Sequence, residues 1–122
     1  MQGIVLFAHG ARDPQWAQPF EAIRARVQAR RPEYPVVLAF LERMTPSLAE
    51  ACDQLVARGV TAVTVFPVFM GQGGHLKEDL PRIVEEIRAT HPGLPIALQP
   101  AAGEDPVIHE AMAGWVLSRF ER

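Results

Sequence analysis

The sequence has little cysteine, no long apolar run and no strong excess of charge. Its single cysteine, Cys52, excludes an intrachain disulfide and any metal site built from a thiolate cluster. No apolar run approaches the roughly 20 residues that span a bilayer, and no basic region precedes the first apolar run. We therefore expect no signal peptide and a cytoplasmic location. The formal net charge of −2 argues against broad attraction to nucleic acid or membranes.

Several motifs of common enzyme classes are also missing. The glycine loop at 71–74 lacks the G-K-[ST] ending of a phosphate-binding P-loop, and no G-x-G-x-x-G follows the first apolar run. No serine or cysteine stands at a strand-to-helix elbow, where an activated nucleophile would be expected. A nucleotide site and nucleophilic catalysis by serine or cysteine are therefore not predicted.

Four apolar, strand-like runs alternate with four helical patterns over residues 1–122, which we predict to form a single domain. The predicted strands cover 3–8, 35–41, 61–68 and 95–98. Asp13-Pro14, Thr45-Pro46 and Asp105-Pro106 each read as an N-cap followed by proline at the first helical position. Alternating strands and helices favour an α/β fold, with a four-stranded parallel sheet and helices on both faces.

Each predicted helix carries apolar residues at helical spacing, which we expect to face the sheet. The third helix is expected to begin near Asp79, with Pro81 in its first turn. Cys52 falls on the apolar stripe of the second helix and is predicted to be a small buried residue. The four stripes are Trp16, Phe20, Ile23 and Val27; Leu48, Cys52, Leu55 and Val56; Leu80, Ile83, Val84 and Ile87; and Ile108, Met112 and Trp115.

His9, Glu42 and His75 all lie at or just beyond the carboxyl ends of predicted strands. In open parallel sheets, ligands bind at this edge, near the point where the strand order reverses. Two neutral imidazoles and a carboxylate suit a labile divalent metal such as Co, Ni, Fe or Zn. The alternatives are histidines that only cap backbone groups and a Glu42 paired with Arg43 or Arg12. His91 and His109 are interpreted as structural or surface residues.

Glycines and cations surround the same predicted edge. Gly73 and Gly74 would let a ligand approach the main chain closely. Four cations, Arg12, Arg43, Lys77 and Arg82, could anchor a substrate that carries carboxylates, or they could be solvated charges at the rim. Three apolar residues near this edge could form a floor for a flat ligand or belong to the core: Phe69, Met70 and Leu76.

Three segments together resemble the CbiX/SirB family, the class II sirohydrochlorin chelatases. They are Ala8-His9-Gly10-Ala11-Arg12-Asp13-Pro14, then Leu41-Glu42 with Pro46-Ser47-Leu48, then Pro67-Val68-Phe69 leading to Gly73-Gly74-His75 and Glu78-Asp79-Leu80-Pro81. The resemblance implies a flavodoxin-like, chelatase-like three-layer sandwich. It also implies ATP-independent insertion of Co(II) or Fe(II) into sirohydrochlorin, towards cobalamin or sirohaem, with no organic cofactor.

In that family the metal-site histidines correspond to His9 and His75, and the acidic partner to Glu42. One histidine, assisted by Glu42, is expected to accept a pyrrole proton. Ala11 stands where the family usually has serine. The chain also corresponds to one unit, whereas longer members fuse two, so the resemblance implies a twofold homodimer with facing clefts.

Two other functions use the same fold. A metal or tetrapyrrole carrier would bind through the same histidines without accelerating insertion. A flavodoxin-like interaction module would bind no metal, and the paired histidines argue against it.

Overall fold

The computed structural model describes all 122 residues. Its strands are β1 (Gln2–Ala8), β2 (Val36–Phe40), β3 (Ala62–Pro67) and β4 (Ile96–Leu98). Its α-helices are α1 (Gln18–Arg30), α2 (Leu48–Ala57), α3 (Gly74–Thr90) and α4 (Pro106–Phe120), and short 3₁₀ helices cover Pro14–Ala17 and Ala102–Glu104. No helix is both long and apolar enough to cross a bilayer.

The four strands form one parallel sheet, as predicted, and their order in the sheet is β2-β1-β3-β4. β1 therefore lies between β2 and β3, and the chain leaves it first in one direction and then in the other. Such a reversal of strand order opens a crevice at the carboxyl ends of the strands. The ends of β1, β2 and β3 meet at that edge.

The two faces of the sheet are covered to different extents. The face under α2 and α3 carries a cluster of 16 buried residues, in which Cys52 is fully buried, as predicted. The opposite face carries a cluster of only five, with Phe20 and Val27 of α1 packed against it. Helices on both faces confirm the predicted α/β class, but the second face is only partly covered.

Two predicted helix starts are wrong. α2 is capped by Ser47 rather than Thr45, because the Ser47 hydroxyl accepts from Glu50 N–H at 3.1 Å while the Glu50 carboxylate accepts from Ser47 N–H at 3.0 Å. α3 begins at Gly74 rather than near Asp79. Its first backbone bond runs from Lys77 N–H to the Gly73 carbonyl at 3.1 Å. Pro81 therefore lies inside α3 rather than in its first turn.

Parts of three predicted apolar stripes do not face the sheet. In α2, Val56 is 38% exposed. Trp16 lies in the first 3₁₀ helix, before α1, and is 43% exposed; Ile23 is 44% exposed. In α4 no residue is buried, and Met112 and Trp115 are 42% and 59% exposed. The spacing in α4 correctly predicts a helix with apolar residues, but the sheet does not cover these residues.

Candidate functional site

His9 and Glu42 are neighbours at the carboxyl edge of the sheet. His9 follows β1, Glu42 follows β2, and His9 Nδ1 lies 3.7 Å from Glu42 Oε1. The two side chains are 45% and 42% exposed, so both can be reached from solvent. Since 3.7 Å exceeds a hydrogen-bond distance, the pair keeps its nitrogen and oxygen lone pairs available to a ligand.

The turn that carries His9 is held from two sides. The imidazole packs against the ring of Phe69, with centroids 4.5 Å apart and planes tilted by 35°. The indole Nε1–H of Trp16 donates to the His9 carbonyl at 2.7 Å. Phe69 and Trp16 thus limit how far His9 can move. The sequence predicts neither contact, since both depend on the tertiary fold.

Gly10 allows the ends of β1 and β2 to approach each other. A Cβ at Gly10 would lie 1.6 Å from the Glu42 carbonyl oxygen, so no larger residue fits without a backbone shift. Leu41 N–H donates to the Ala8 carbonyl at 2.8 Å in the same place. Gly10 is therefore a positioning residue that was not predicted from the sequence, although its place directly after His9 is a signal.

The loop after β2 is strained at Arg43. Its φ of +67° lies in the left-handed region, which an arginine adopts only at a cost. Met44 N–H donates to the Glu42 carbonyl at 2.8 Å, closing a tight turn around Arg43. This turn fixes the Glu42 carbonyl, the same group that approaches Gly10.

His75 lies in the first turn of α3 and is exposed. His9, Glu42 and His75 do not form a ready cluster, because no group of three or more His, Cys, Asp or Glu side chains is arranged to hold a metal ion. The structure thus joins two of the three predicted residues. The alternative partners of Glu42 are not observed, since neither Arg12 nor Arg43 forms a salt bridge.

Three of the four cations expected at this edge are exposed and form no salt bridge: Arg12, Arg43 and Lys77. Arg82 differs, because it bonds to Asp79 at 3.3 Å and Glu86 at 2.9 Å, and these bonds raise its pKa. The unpaired three are the cations available to an anionic ligand.

The glycine loop leaves open space before α3. A Cβ at Gly73 or Gly74 would meet nothing within 4 Å. Among the residues considered as an apolar floor, Met70 is 61% exposed, Phe69 is buried beneath His9, and Leu76 packs against the core. Met70 is therefore the apolar side chain of that group most accessible to a ligand.

The other two histidines have protein partners elsewhere, as predicted. His91 Nε2 lies 2.6 Å from Asp53 Oδ1 and connects the end of α3 to α2. His109 Nε2–H donates to the Gly103 carbonyl at 2.7 Å, at the start of α4. Neither belongs to the pair of His9 and Glu42.

The model of the CbiX family matches residues 3–118. The chain belongs to the CbiX family. A sirohydrochlorin cobaltochelatase from Methanococcoides burtonii is 29% identical over 125 residues, covering 96% of this chain and 92% of that protein. The enzyme of the same name from Methanothermobacter thermautotrophicus is 35% identical over 82 residues, which cover 67% of this chain but only 57% of its own length.

Solved structures of the family have the same fold. A CbiX protein of cobalamin biosynthesis from Marinobacter aquaeolei VT8 superposes with a TM-score of 0.90 at 30% identity, covering 100% of this chain and 99% of that one. The sirohydrochlorin chelatase SirB from Bacillus subtilis subspecies spizizenii, in complex with cobalt, gives a TM-score of 0.66 at 26% identity. That match covers 81% of this chain and 43% of SirB, so this CbiX family member spans less than half the length of that relative.

Proposed function

We propose that this chain inserts a divalent metal, Co(II) or Fe(II), into sirohydrochlorin without ATP, on the way to cobalamin or sirohaem. The observation that carries the proposal is the exposed pair of His9 and Glu42 at the carboxyl edge of the sheet, in a chain of the CbiX family. The cobaltochelatase names of its relatives and the cobalt-bound SirB structure support the same reaction. We treat residues 1–122 as one chelatase-like unit.

The reaction exchanges one metal ion for two pyrrole protons, so the site needs weak metal ligands and a proton acceptor. In the proposed mechanism His9 and His75 hold the incoming metal, which is a substrate and not a resident cofactor. Two protein ligands leave most coordination positions of the metal to water and to the pyrrole nitrogens of sirohydrochlorin. The pyrrole nitrogens can then displace the two imidazoles.

Proton removal is assigned to an imidazole assisted by Glu42. Glu42 Oε1 lies 3.7 Å from His9 Nδ1, so a proton accepted by the imidazole has a carboxylate beside it. Packing against Phe69 and the hydrogen bond from Trp16 Nε1–H to the His9 carbonyl keep the His9 imidazole near that carboxylate. Each released proton then passes to solvent, since both side chains are more than two-fifths exposed.

The carboxylates of the tetrapyrrole are assigned to Arg12, Arg43 and Lys77. These cations are exposed and form no salt bridge within the chain. The open space at Gly73 and Gly74 allows the edge of a flat macrocycle to approach the backbone before α3. A homodimer and a cytoplasmic location remain part of the proposal.

The proposal is tested by anaerobic absorbance measurement of Co(II) insertion into sirohydrochlorin. Four proteins are compared: the wild type, His75→Ala, His9→Ala and His91→Gln. His91→Gln is the matched control, because it removes an imidazole bonded to Asp53 and not to the site. We expect acceleration by the wild type and the control, and its near loss in the two site variants with an unchanged circular dichroism spectrum.

Two results would reject parts of this assignment. Wild-type rates in correctly folded His9→Ala and His75→Ala proteins would exclude the histidines from the mechanism. Saturable binding of metal or sirohydrochlorin by the wild type, with no acceleration over the spontaneous reaction, would instead identify a carrier and remove the catalytic roles.

A further inference from the structure

The segment between β3 and α3 reaches both histidines of the proposed site. Near its start, the Phe69 ring packs against the His9 imidazole with centroids 4.5 Å apart, and the segment ends just before His75 in the first turn of α3. Residues 70–72 make no backbone hydrogen bond. The restraints on this segment are therefore concentrated at its two ends, at Phe69 and at the start of α3.

The second 3₁₀ helix holds the start of this segment. Gly103 N–H donates to the Phe69 carbonyl at 2.8 Å. A Cβ at Gly103 would lie 1.6 Å from the Met70 carbonyl oxygen and 2.4 Å from the Met70 Cα, so only glycine fits here without a backbone shift. A displacement of Gly103 would therefore move the backbone of Phe69 and Met70.

His109 holds Gly103 in turn. In the first turn of α4, the Nε2–H of His109 donates to the Gly103 carbonyl at 2.7 Å. Nε2 carries the proton in this contact, because a carbonyl only accepts. The two carbonyls before that of Gly103 accept from backbone N–H groups of the same turn, whereas no backbone N–H donates to the Gly103 carbonyl. The imidazole of His109 is therefore the group that fixes this carbonyl.

Phe69 transmits the restraint to the site. Its side chain is only 4% exposed and packs between the ring of Phe7, with centroids 6.0 Å apart, and the imidazole of His9. Because interiors are close-packed, a buried ring has little room to move independently of its neighbours. A shift of the Phe69 backbone would therefore displace the ring and the imidazole that packs against it.

We propose that His109 and Gly103 are positioning residues for the His9 imidazole. They act through the backbone and ring of Phe69, since neither forms a hydrogen bond to His9 itself. Gly103 also restrains the start of the segment that leads to α3, so one contact limits the movement of both sides of the site. The role of these residues in metal insertion rests on the proposed function, whereas the restraint on His9 does not.

The first test replaces the hydrogen bond from His109. Glutamine keeps an amide N–H donor, whereas leucine has a similar size and no donor, so His109→Gln and His109→Leu form a matched pair. His109→Leu should lower kcat for Co(II) insertion into sirohydrochlorin by about fivefold with little change in KM. His109→Gln should keep most of the wild-type kcat. His91→Gln is the control for loss of an imidazole bonded elsewhere.

Two kinetic results would overturn the proposal in a chain that accelerates insertion. One is a wild-type kcat in correctly folded His109→Leu. The other is an equal loss of kcat in His109→Leu and His109→Gln, which would assign the effect to the imidazole ring and not to its hydrogen bond.

The second test locates His9 by NMR without any reaction. The chain has four histidines, so its imidazole C–H signals are few and can be assigned by single substitutions. The ring current of Phe69 shifts the His9 signals, which therefore report the arrangement of the two rings. At about pH 8.5, where an ordinary imidazole is neutral, these signals should move in His109→Leu and keep their wild-type position in His109→Gln and His91→Gln. Unmoved His9 signals in folded His109→Leu would reject the proposal.

Gly103→Ala tests the same restraint by steric displacement. It should move the His9 signals at least as far as His109→Leu does, because the added Cβ displaces the Met70 backbone. Gly114→Ala is the control, since a Cβ there meets nothing within 4 Å. If the wild type does not accelerate insertion, the proposed function fails and the His9 signals alone decide the proposal. Unmoved signals in folded Gly103→Ala would also reject it.

Discussion

Gly10 leaves room for the backbone carbonyl of Glu42, which lies 1.6 Å from the position that a Cβ on Gly10 would occupy. It allows the ends of β1 and β2 to approach closely, where His9 Nδ1 lies 3.7 Å from Glu42 Oε1. The distance between the two site residues therefore depends on a residue that has no side chain.

Gly10→Ala should both destabilise the protein and separate His9 from Glu42. Overpacking against backbone typically costs about 1–3 kcal/mol in the free energy of unfolding. Urea denaturation of the wild type and the variant measures this cost. The rate of metal insertion should fall in the fraction that remains folded. Gly71→Ala is the matched control, because a Cβ there meets nothing within 4 Å and should change stability by less than about 0.5 kcal/mol. Equal stability of the two variants would contradict the close approach.

Cys52 gives a prediction for alkaline pH. Burial, and secondarily the charge of Asp53, raise the pKa of its thiol from 9.0 to about 11. The unfolded chain therefore ionises first, so the contribution of this thiol is fully present below pH 9 and is lost as the pH rises towards 11. Between these values the free energy of unfolding should fall by up to roughly 1.4 kcal/mol per pH unit from this group.

The matched variant for that measurement is Cys52→Ala, which lacks the thiol. Its urea stability should fall less steeply between pH 9 and 11 than that of the wild type, whatever its stability at pH 7. Identical slopes would show that the thiol ionises equally in the folded and unfolded chains. The native thiol should also react slowly with aromatic disulfide reagents at pH 8, because it is fully buried.

The sheet and the first two site residues could be predicted because they depend on local pattern and simple topology. Apolar runs gave all four strands, and parallel strands bring their carboxyl ends to one edge, so His9 and Glu42 were expected to be close. The packing of Phe69 on His9 and the Trp16 bond could not be predicted, because they join residues that only the finished fold brings together.

The errors have equally specific causes. Pro81 suggested a helix start near Asp79, but α3 accommodates it in the interior and begins at Gly74. The spacing of Met112 and Trp115 showed that α4 has apolar residues to bury, but periodicity does not indicate which surface buries them. The exposure of that helix became visible only in the three-dimensional structure.

Arg43 allows backbone strain to be separated from charge. Its φ of +67° is accessible to glycine at little cost but strains residues with a Cβ by about 1–2 kcal/mol. Arg43→Gly should therefore unfold at higher urea concentration than Arg43→Ala. Both variants lose the guanidinium, so both should raise the KM for sirohydrochlorin equally if that cation binds a substrate carboxylate. A higher KM in Arg43→Ala alone would assign the effect to the backbone of the turn.

Trp16 tests whether the backbone of His9 must be held for metal insertion. Trp16→Phe keeps an aromatic ring beside Phe20, whose centroid is 5.6 Å from that of Trp16, but removes the Nε1–H that donates to the His9 carbonyl. Loss of one such bond, worth about 1 kcal/mol, should lower kcat for metal insertion by about fivefold with little change in KM. Trp115→Phe is the control, since Trp115 lies on α4 and makes no hydrogen bond to the site. A kcat unchanged in folded Trp16→Phe would show that Phe69 and Gly10 position His9 without the indole, whereas a raised KM alone would make Trp16 a substrate contact.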